Sequence, residues 1–335
     1  MPSKAFEQPM TASAVTEFVE QIMSGQASPE QVKDFLTTLA RRGETAEEIA
    51  AAVSVLRRHA VGLPLSQVGE LCDTCGTGGD GQGTINVSTL AALVASAAGV
   101  RVSKHGNRAA SSRCGSADVL EALGMNLAAS PAQVARCIDD AGFGFCFAPA
   151  FHPSMKQVAP IRKELKIRTI FNLIGPLANP APLVYQLVGV PESWLMRPMA
   201  EALLRLGIRR GMVVHGFDGL DEATTTTATE VLEVNNGAIA DVELTPEAAG
   251  VPHASLEQLR GGDVQQNARL ARAVLTGTET SAHRDLVALN AGCVLYVAGQ
   301  VTTIRDGVDA AKDVLRLGTA ARLLERVKAL SHAAG

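Results

Sequence analysis

Asp73-Thr74-Cys75-Gly76-Thr77-Gly78-Gly79-Asp80-Gly81 places four glycines and two carboxylates in nine residues. Glycine lets the backbone turn through positive φ and lets an anion approach bare N–H groups. Asn86-Val87-Ser88-Thr89 follows and is expected to open a helix, whose N-terminus attracts negative charge. Together the two segments read as a cradle for phosphate. Gly76, Gly78 and Gly81 also satisfy G-x-G-x-x-G, the pattern of dinucleotide sites. That reading asks for an acidic residue about twenty positions on, where Lys104 stands instead. A tight turn that binds nothing is the plainer reading of the glycines alone.

Three further segments have residue types suited to the same ligand. Lys104-His105-Gly106-Asn107-Arg108-Ala109-Ala110-Ser111-Ser112 offers cations, an amide and hydroxyls to a multiply charged phosphate compound. Gly115-Ser116-Ala117-Asp118 then opens another expected helix with further N–H donors. In His215-Gly216-Phe217-Asp218-Gly219-Leu220-Asp221-Glu222 the adjacent carboxylates, ordinarily a solvated pair, become candidates for Mg²⁺ beside a phosphate cradle. Pro160-Ile161-Arg162-Lys163-Glu164-Leu165 reads as a wet basic helix face, unless a carboxylate ligand calls for Arg162. No HExxH zinc pattern, DxDxDG calcium loop or nucleophilic triad is readable. Cys72 and Cys75 form a C-x-x-C without a second pair at zinc spacing, and read as ordinary thiols beside the glycine loop.

The elements that must position these loops divide the chain by period. Val15, Phe18, Val19 and Ile22 repeat at i, i+3, i+4, i+7, as do Val32, Phe35, Leu36 and Leu39, and a third stripe runs from Ile49 to Leu56. Ser28-Pro29-Glu30-Gln31 and Thr45 with Glu48 are capping boxes, and Gly43 closes the helix between them. Three such short helices form a bundle that must lean on something else. From Leu71 onward, short apolar runs alternate with glycine turns and helical patterns, the mark of an α/β sheet, mostly parallel. Gly99–Ser103 and Met212–His215 read as strands, each running into a polar loop. Thr89–Ala98, Ala117–Leu123, Pro198–Leu206 and Ala320–Ser331 read as helices. Thr229–Val234 and Ala238–Leu244 read as a hairpin around a glycine turn. In open α/β sheets ligands gather outside the carboxyl ends of the strands, which is where the polar loops fall.

Composition bounds the rest. With 335 residues, 47% hydrophobic and 19% charged, the chain can bury a large core. Its net charge of -4 argues against nucleic acid or an anionic membrane as the main partner. Apolar stretches such as Leu90–Val100 fall far short of a membrane span, and Met1 to Met10 lacks the pattern of a signal peptide. Six cysteines in this length make no disulfide framework, so a cytoplasmic protein with reduced thiols is expected.

GTGGD, NVST, KHGNRAASS, GSADVLEALG, RTIFNLIGPLANP and DGLDE, in this order, resemble anthranilate phosphoribosyltransferase of tryptophan biosynthesis. The likeness runs from about Thr11 to the C-terminus and includes RDLVALNAG near Arg284. It implies transfer of the 5-phosphoribosyl group of phosphoribosyl pyrophosphate (PRPP) to the amine of anthranilate with Mg²⁺, releasing pyrophosphate. It implies an α/β fold: a small helical domain plus a large α/β domain with a mostly parallel central sheet and C-terminal helices. The expected division is 1–71, joined in space by about 153–182, against 72–152 and 183–335, with substrates at the hinge. A stand-alone enzyme that forms a homodimer through the helical domain is expected.

Carried over residue by residue, the resemblance assigns PRPP contacts to Gly76, Gly79, Asp80, Thr84, Asn86, Ser88 and Thr89. It also assigns them to Lys104, Asn107, Arg108, Ser111, Ser112 and Ser116. Ser88, Asp221 and Glu222 match magnesium ligands, and Asn107 and Arg162 match anthranilate contacts, with Arg162 meeting the carboxylate. No acid or base is assigned. Three positions depart from the family: Lys166 stands where glycine is usual, Cys114 where serine is commoner, and Thr227-Ala228 where Gly-Pro is usual. A pyrimidine-nucleoside phosphorylase of the same fold is disfavoured by the KHGNR and DGLDE segments. A nucleic-acid-binding relative without catalysis would show a basic surface and eroded phosphate motifs, and an NAD-dependent oxidoreductase is disfavoured by Lys104.

Overall fold

The structure, a computed structural model, describes residues 6–67, 69–109 and 112–333. The chain opens with α1 (Ala12–Met23), α2 (Pro29–Arg42) and α3 (Ala46–Arg58). Both predicted capping boxes are formed: Ser28 with Gln31 starts α2 and Thr45 with Glu48 starts α3. Gly43, at φ +84°, ends α2 by donating its N–H to Leu39 O.

Next come β1 (Leu71–Gly76), α4 (Val87–Ala97), β2 (Arg101–Gly106), α5 (Ser116–Ala122), α6 (Pro131–Ala141) and β3 (Phe143–Phe147). A helical excursion follows, α7 (Ala148–Phe151), α8 (Ala159–Leu165) and α9 (Ile170–Leu177). The sheet resumes with β4 (Leu183–Gly189), α10 (Met196–Arg205), β5 (Arg210–Gly216), β6 (Thr229–Asn235) and β7 (Ala238–Leu244). Five helices close the chain: α11 (Pro246–Ala249), α12 (Val264–Leu275), α13 (Ala282–Val297), α14 (Ile304–Arg316) and α15 (Thr319–His332).

The seven strands are ordered β3-β2-β1-β4-β5-β6-β7, parallel from β3 through β5 and antiparallel at the β6–β7 hairpin. The hairpin turns on Asn236 and Gly237, both at positive φ, as a tight two-residue connection requires. Two-residue alternation sorts the faces: Leu187, Met212 and Val214 point to a core shared with α4, α13 and α14. Val188 and Val213 point to the other core, shared with α10 and the bundle. The bundle therefore has no separate core. Val53 and Phe35 lie in one apolar cluster with Phe171 and Ile174 of α9 and Met199 of α10. The expected fold class holds: a small helical part, a large α/β part with a mostly parallel sheet, and C-terminal helices.

Two strand limits differ from the sequence reading, and both matter to the site. Asp73 lies within β1, and Lys104 lies within β2 instead of the loop after it. Parallel pairing of β2 with β3 continues through Lys104–Phe145 to Gly106–Phe147, so the sheet carries these charged residues inside. Gly99, at φ +109°, is a turn before the strand. Sheet growth reverses between β1 and β4, and their carboxyl ends flank the crevice where α/β sheets bind ligands.

Candidate active site

At that crevice lies a cavity of about 960 Å³. It is lined by every sequence-predicted site residue except Ser111, which lies outside the described residues.

The reversal point explains two glycines. Gly76 and Gly189 are register partners on β1 and β4, and the acidic loop lies directly over both. A Cβ on Gly76 would stand 2.0 Å from Asp221 Oδ2, and one on Gly189 1.6 Å from Asp221 O. No side chain fits either place. The Asp221 carboxylate accepts the Gly78 N–H at 2.7 Å, and Glu222 Oε1 accepts the Ser88 N–H at 3.1 Å, on the first turn of α4. The predicted metal ligands Ser88, Asp221 and Glu222 are thus brought together, with Asp80 beside Asp221.

Burial, and then repulsion from Asp80, raises the Asp221 pKa to about 7. Burial, and then Asp221, pushes Glu222 well above the ordinary range, although Lys104 opposes it. Among the described residues no three His, Cys, Asp or Glu side chains form a complete metal site. Two carboxylates and a hydroxyl are a donor set that suits Mg²⁺, a hard cation that also keeps water and phosphate oxygens.

The acidic loop is fixed from behind. Asn290 of α13, fully buried, accepts the Ala223 N–H at 3.0 Å and donates to Ala223 O at 2.8 Å. Asp218 takes the Thr224 hydroxyl at 2.7 Å and also holds Thr226. Asn267 of α12 plays a similar part for the α4 entrance, donating at 3.1 Å to Asn86 Oδ1. Asn86 in turn donates to Cys114 O at 3.0 Å, a carbonyl that serine would offer equally. Thr84 pairs with Arg260 in an isolated bridge just before it.

Lys104 is buried, its Nζ 3.1 Å from His105 O, with Asp73 and Glu222 in its field. Asp73 is fixed by the Asn179 side-chain amide at 2.8 Å. Asn107 N–H donates to Ser116 Oγ at 3.2 Å, and a Cβ on Gly106 would stand 2.2 Å from that same hydroxyl. Arg108 is turned onto α5, at 2.9 Å from Asp118 and 2.7 Å from Glu121. Ser112 reaches Cys114 O at 3.4 Å.

The opposite wall comes from α7 to α9. Arg162 of α8 stacks toward Phe171, 5.8 Å from the ring centroid, and its Nη2 is 3.4 Å from Asn172 Oδ1. Burial lowers its pKa, and among the described residues no carboxylate lies within 4 Å of it. His105 packs edge-on against His152, 5.2 Å between centroids. Burial, and then His152, lowers the His105 pKa to about 3, so the ring is neutral. The Nδ1 atom lies 3.1 Å from Gly175 O, a carbonyl, and therefore carries the proton.

Sequence reasoning gave no role to Gly189, Asn290, Asn267, His152 or Arg168, although His152 opens the polar segment His152-Pro153-Ser154-Met155. Gly189 and Asn290 meet only backbone, and Asn267 reaches Asn86 from a helix remote in the chain. Asn290 stood in the RDLVALNAG stretch without a role. Arg168 stood in the RTIFN motif without a role.

The comparisons agree with this architecture. Residues 4–60 match the model of the glycosyl transferase family, helical bundle domain, and residues 68–321 match that of the glycosyl transferase family, a/b domain. The anthranilate phosphoribosyltransferase of Rubrobacter xylanophilus is 50% identical over 325 residues, 97% of this chain and 94% of that protein. The crystal structure of the Thermus thermophilus enzyme of that name superposes with a TM-score of 0.93 at 47% identity, covering 98% of this chain and 97% of its own. The Saccharomyces cerevisiae enzyme in complex with PRPP and Mg has a TM-score of 0.87 at 29% identity, covering 96% and 93%. With relatives this similar over nearly its whole length, the chain belongs to the anthranilate phosphoribosyltransferase family.

Proposed function

We propose that this chain transfers the 5-phosphoribosyl group of PRPP to the amine of anthranilate, giving N-(5-phosphoribosyl)anthranilate and pyrophosphate, in tryptophan biosynthesis. The observation that carries the reading is one cavity with two unlike walls. One wall has a glycine loop, a helix N-terminus and crowded carboxylates. The other has a desolvated arginine beside an aromatic ring.

In this reading Gly76, Gly79, Asp80, Thr84, Asn86, Ser88 and Thr89 hold PRPP on one side, and Lys104, Asn107, Arg108, Ser111, Ser112 and Ser116 on the other. Arg162 receives the anthranilate carboxylate, and Asn107 lies between the two substrates. Arg108 would exchange part of its pairing with Asp118 and Glu121 for phosphate. Ser88, Asp221 and Glu222 would hold Mg²⁺, which supplies positive charge to the departing diphosphate when bound. The amine nitrogen forms a bond to the ribose anomeric carbon as the bond from that carbon to diphosphate oxygen breaks. The amine then loses one proton. The residues here orient the two reactants and stabilise charge on the leaving group, which suits a weak nucleophile that needs placement.

The family-model boundaries and the apolar cluster joining the bundle to α9 support the division into 1–71 with about 153–182, against 72–152 and 183–335. A homodimer through the helical part, acting in the cytoplasm without a nucleic-acid partner, completes the proposal. No helix among the described residues is long and apolar enough to cross a membrane.

The test is the fluorescence of anthranilate mixed with protein, Mg²⁺ and PRPP. The expected result is a loss of signal that requires all three. No loss from folded protein would overturn the assignment.

A further inference from the structure

The two walls are joined by one side chain. Arg168 lies between α8 and α9, half-buried, on the same segment that carries Arg162 and Asn172. Its Nη2 crosses the cavity mouth to donate to Thr77 Oγ1 of the glycine loop at 2.8 Å, and its Nη1 is 3.5 Å from Gly78 O. The N–H of that same Gly78 donates to Asp221 Oδ2 at 2.7 Å.

On the other side, the chain continues directly into the cap of α9. Asn172 Oδ1 accepts the Thr169 N–H at 3.1 Å and stands 3.4 Å from Arg162 Nη2. A continuous path therefore runs from Arg162 through Asn172, Thr169, Arg168, Thr77 and Gly78 to Asp221.

Arg168 has no carboxylate within 4 Å among the described residues, yet Asp221, Glu44 and Glu192 all act on it through space. Its Nε is buried without a partner. A guanidinium held by a hydroxyl and a weak carbonyl contact, with the acidic loop, the bundle and the segment after β4 each placing an acid in its field, is poised to respond to added charge.

We propose that Arg168 is a positioning residue that couples the two substrate sites, so that filling the glycine loop strengthens binding at Arg162 and the reverse. The inference rests on the assignment of PRPP and anthranilate to the two walls. The physical basis is shared ordering. A ligand in the glycine loop fixes Thr77 and Gly78, which fixes Arg168 and the α9 cap behind it. The second ligand then meets a segment already ordered. Coupling of this kind is reciprocal, so the factor read from either ligand must agree.

Magnesium pyrophosphate and anthranilate are the probes, because together they cannot turn over. Anthranilate binding is titrated by its own fluorescence with and without saturating magnesium pyrophosphate, and pyrophosphate binding by calorimetry with and without anthranilate. In the unmodified protein each should tighten the other by about fivefold or more. In Arg168→Met the factor should fall to within about twofold of one, and Arg168→Lys, which keeps the charge without the fork, should lie between.

The coupling factor is a ratio, so a uniform loss of affinity leaves it unchanged. Thr77→Val removes the acceptor at the far end and should abolish coupling equally, with no further loss in the double variant. It also carries the test if Arg168→Met does not fold. Full coupling retained in Arg168→Met or in Thr77→Val overturns the inference, as does unmodified protein that binds both probes without coupling. Unmodified protein that binds neither probe overturns the assigned function instead.

Discussion

In the proposed reaction Arg162 is the residue on which acceptor choice would turn. Its guanidinium is desolvated against Phe171 and, among the described residues, its hydrogen-bond partner is Asn172 at a long 3.4 Å. A buried cation without an anion is costly, and a ligand carboxylate relieves that cost. Arg162→Ala should therefore raise the anthranilate KM by roughly 30- to 150-fold, about 2–3 kcal/mol, with a much smaller change for PRPP. Initial rates over a grid of both substrates measure this, and equal effects on the two would refute the role. His105, by contrast, is no acid at neutral pH: with its pKa near 3 and Nδ1 protonated, it offers the cavity a neutral ring.

At the scale of elements, the departures and the glycines make their own predictions. Lys166 ends α8 in the left-handed region at φ +52°, donating its N–H to Arg162 O at 3.2 Å. A Cβ in that conformation costs roughly 1 kcal/mol, so Lys166→Gly should stabilise the protein by about that much, a rise of some 2 °C in Tm. Thermal melting checks it, and a drop in Tm would mean the lysine side chain has a compensating role. Gly189 is the converse case, because alanine there must push the Asp221 backbone aside. Gly189→Ala should raise the half-saturating Mg²⁺ concentration about 10- to 100-fold. An unchanged magnesium response would detach β4 from the acidic loop.

These cases show what the sequence reveals and what it hides. The three bundle helices were legible because stripes and capping boxes are local, and the cradle was legible because glycines and carboxylates cluster. β1 was not: Leu71–Gly76 buries Thr74 and Asp73, and the partner of Asp73, Asn179, is remote in the chain. Lys104 read as a loop cation for the same reason, since its burial depends on carboxylates that only the folded sheet brings near.

For the whole molecule, the bundle and the sheet stand or fall together, because the wall built by α7 to α9 belongs to a core that both share. A buried acid ties the bundle's corner. Glu48, fully buried at the start of α3, accepts the Met10 N–H at 2.8 Å and the Thr45 N–H at 2.9 Å, and pairs with Arg42 at the end of α2. Burial alone would raise its pKa, but Arg42 and the two N–H donors outweigh that and lower it below 4.5. A depressed acid pKa means that ionised Glu48 stabilises the folded state above its unfolded pKa, and that this contribution is lost as pH falls through the folded value. Nearby Glu44 acts in the opposite sense, its pKa raised first by burial, so the pH profile of the unmodified protein alone mixes the two. Comparison with Glu48→Gln separates them. Glutamine keeps an acceptor for the N–H groups but leaves Arg42 uncompensated, so the variant should be about 3 kcal/mol less stable at pH 7. That deficit should shrink as pH falls below 4.5 and the acid is protonated. Denaturant melts of both proteins from pH 7 to pH 3 measure the difference. A gap that stays constant over that range would show that Glu48 acts through packing, and that the charge pair is not what ties the bundle's corner.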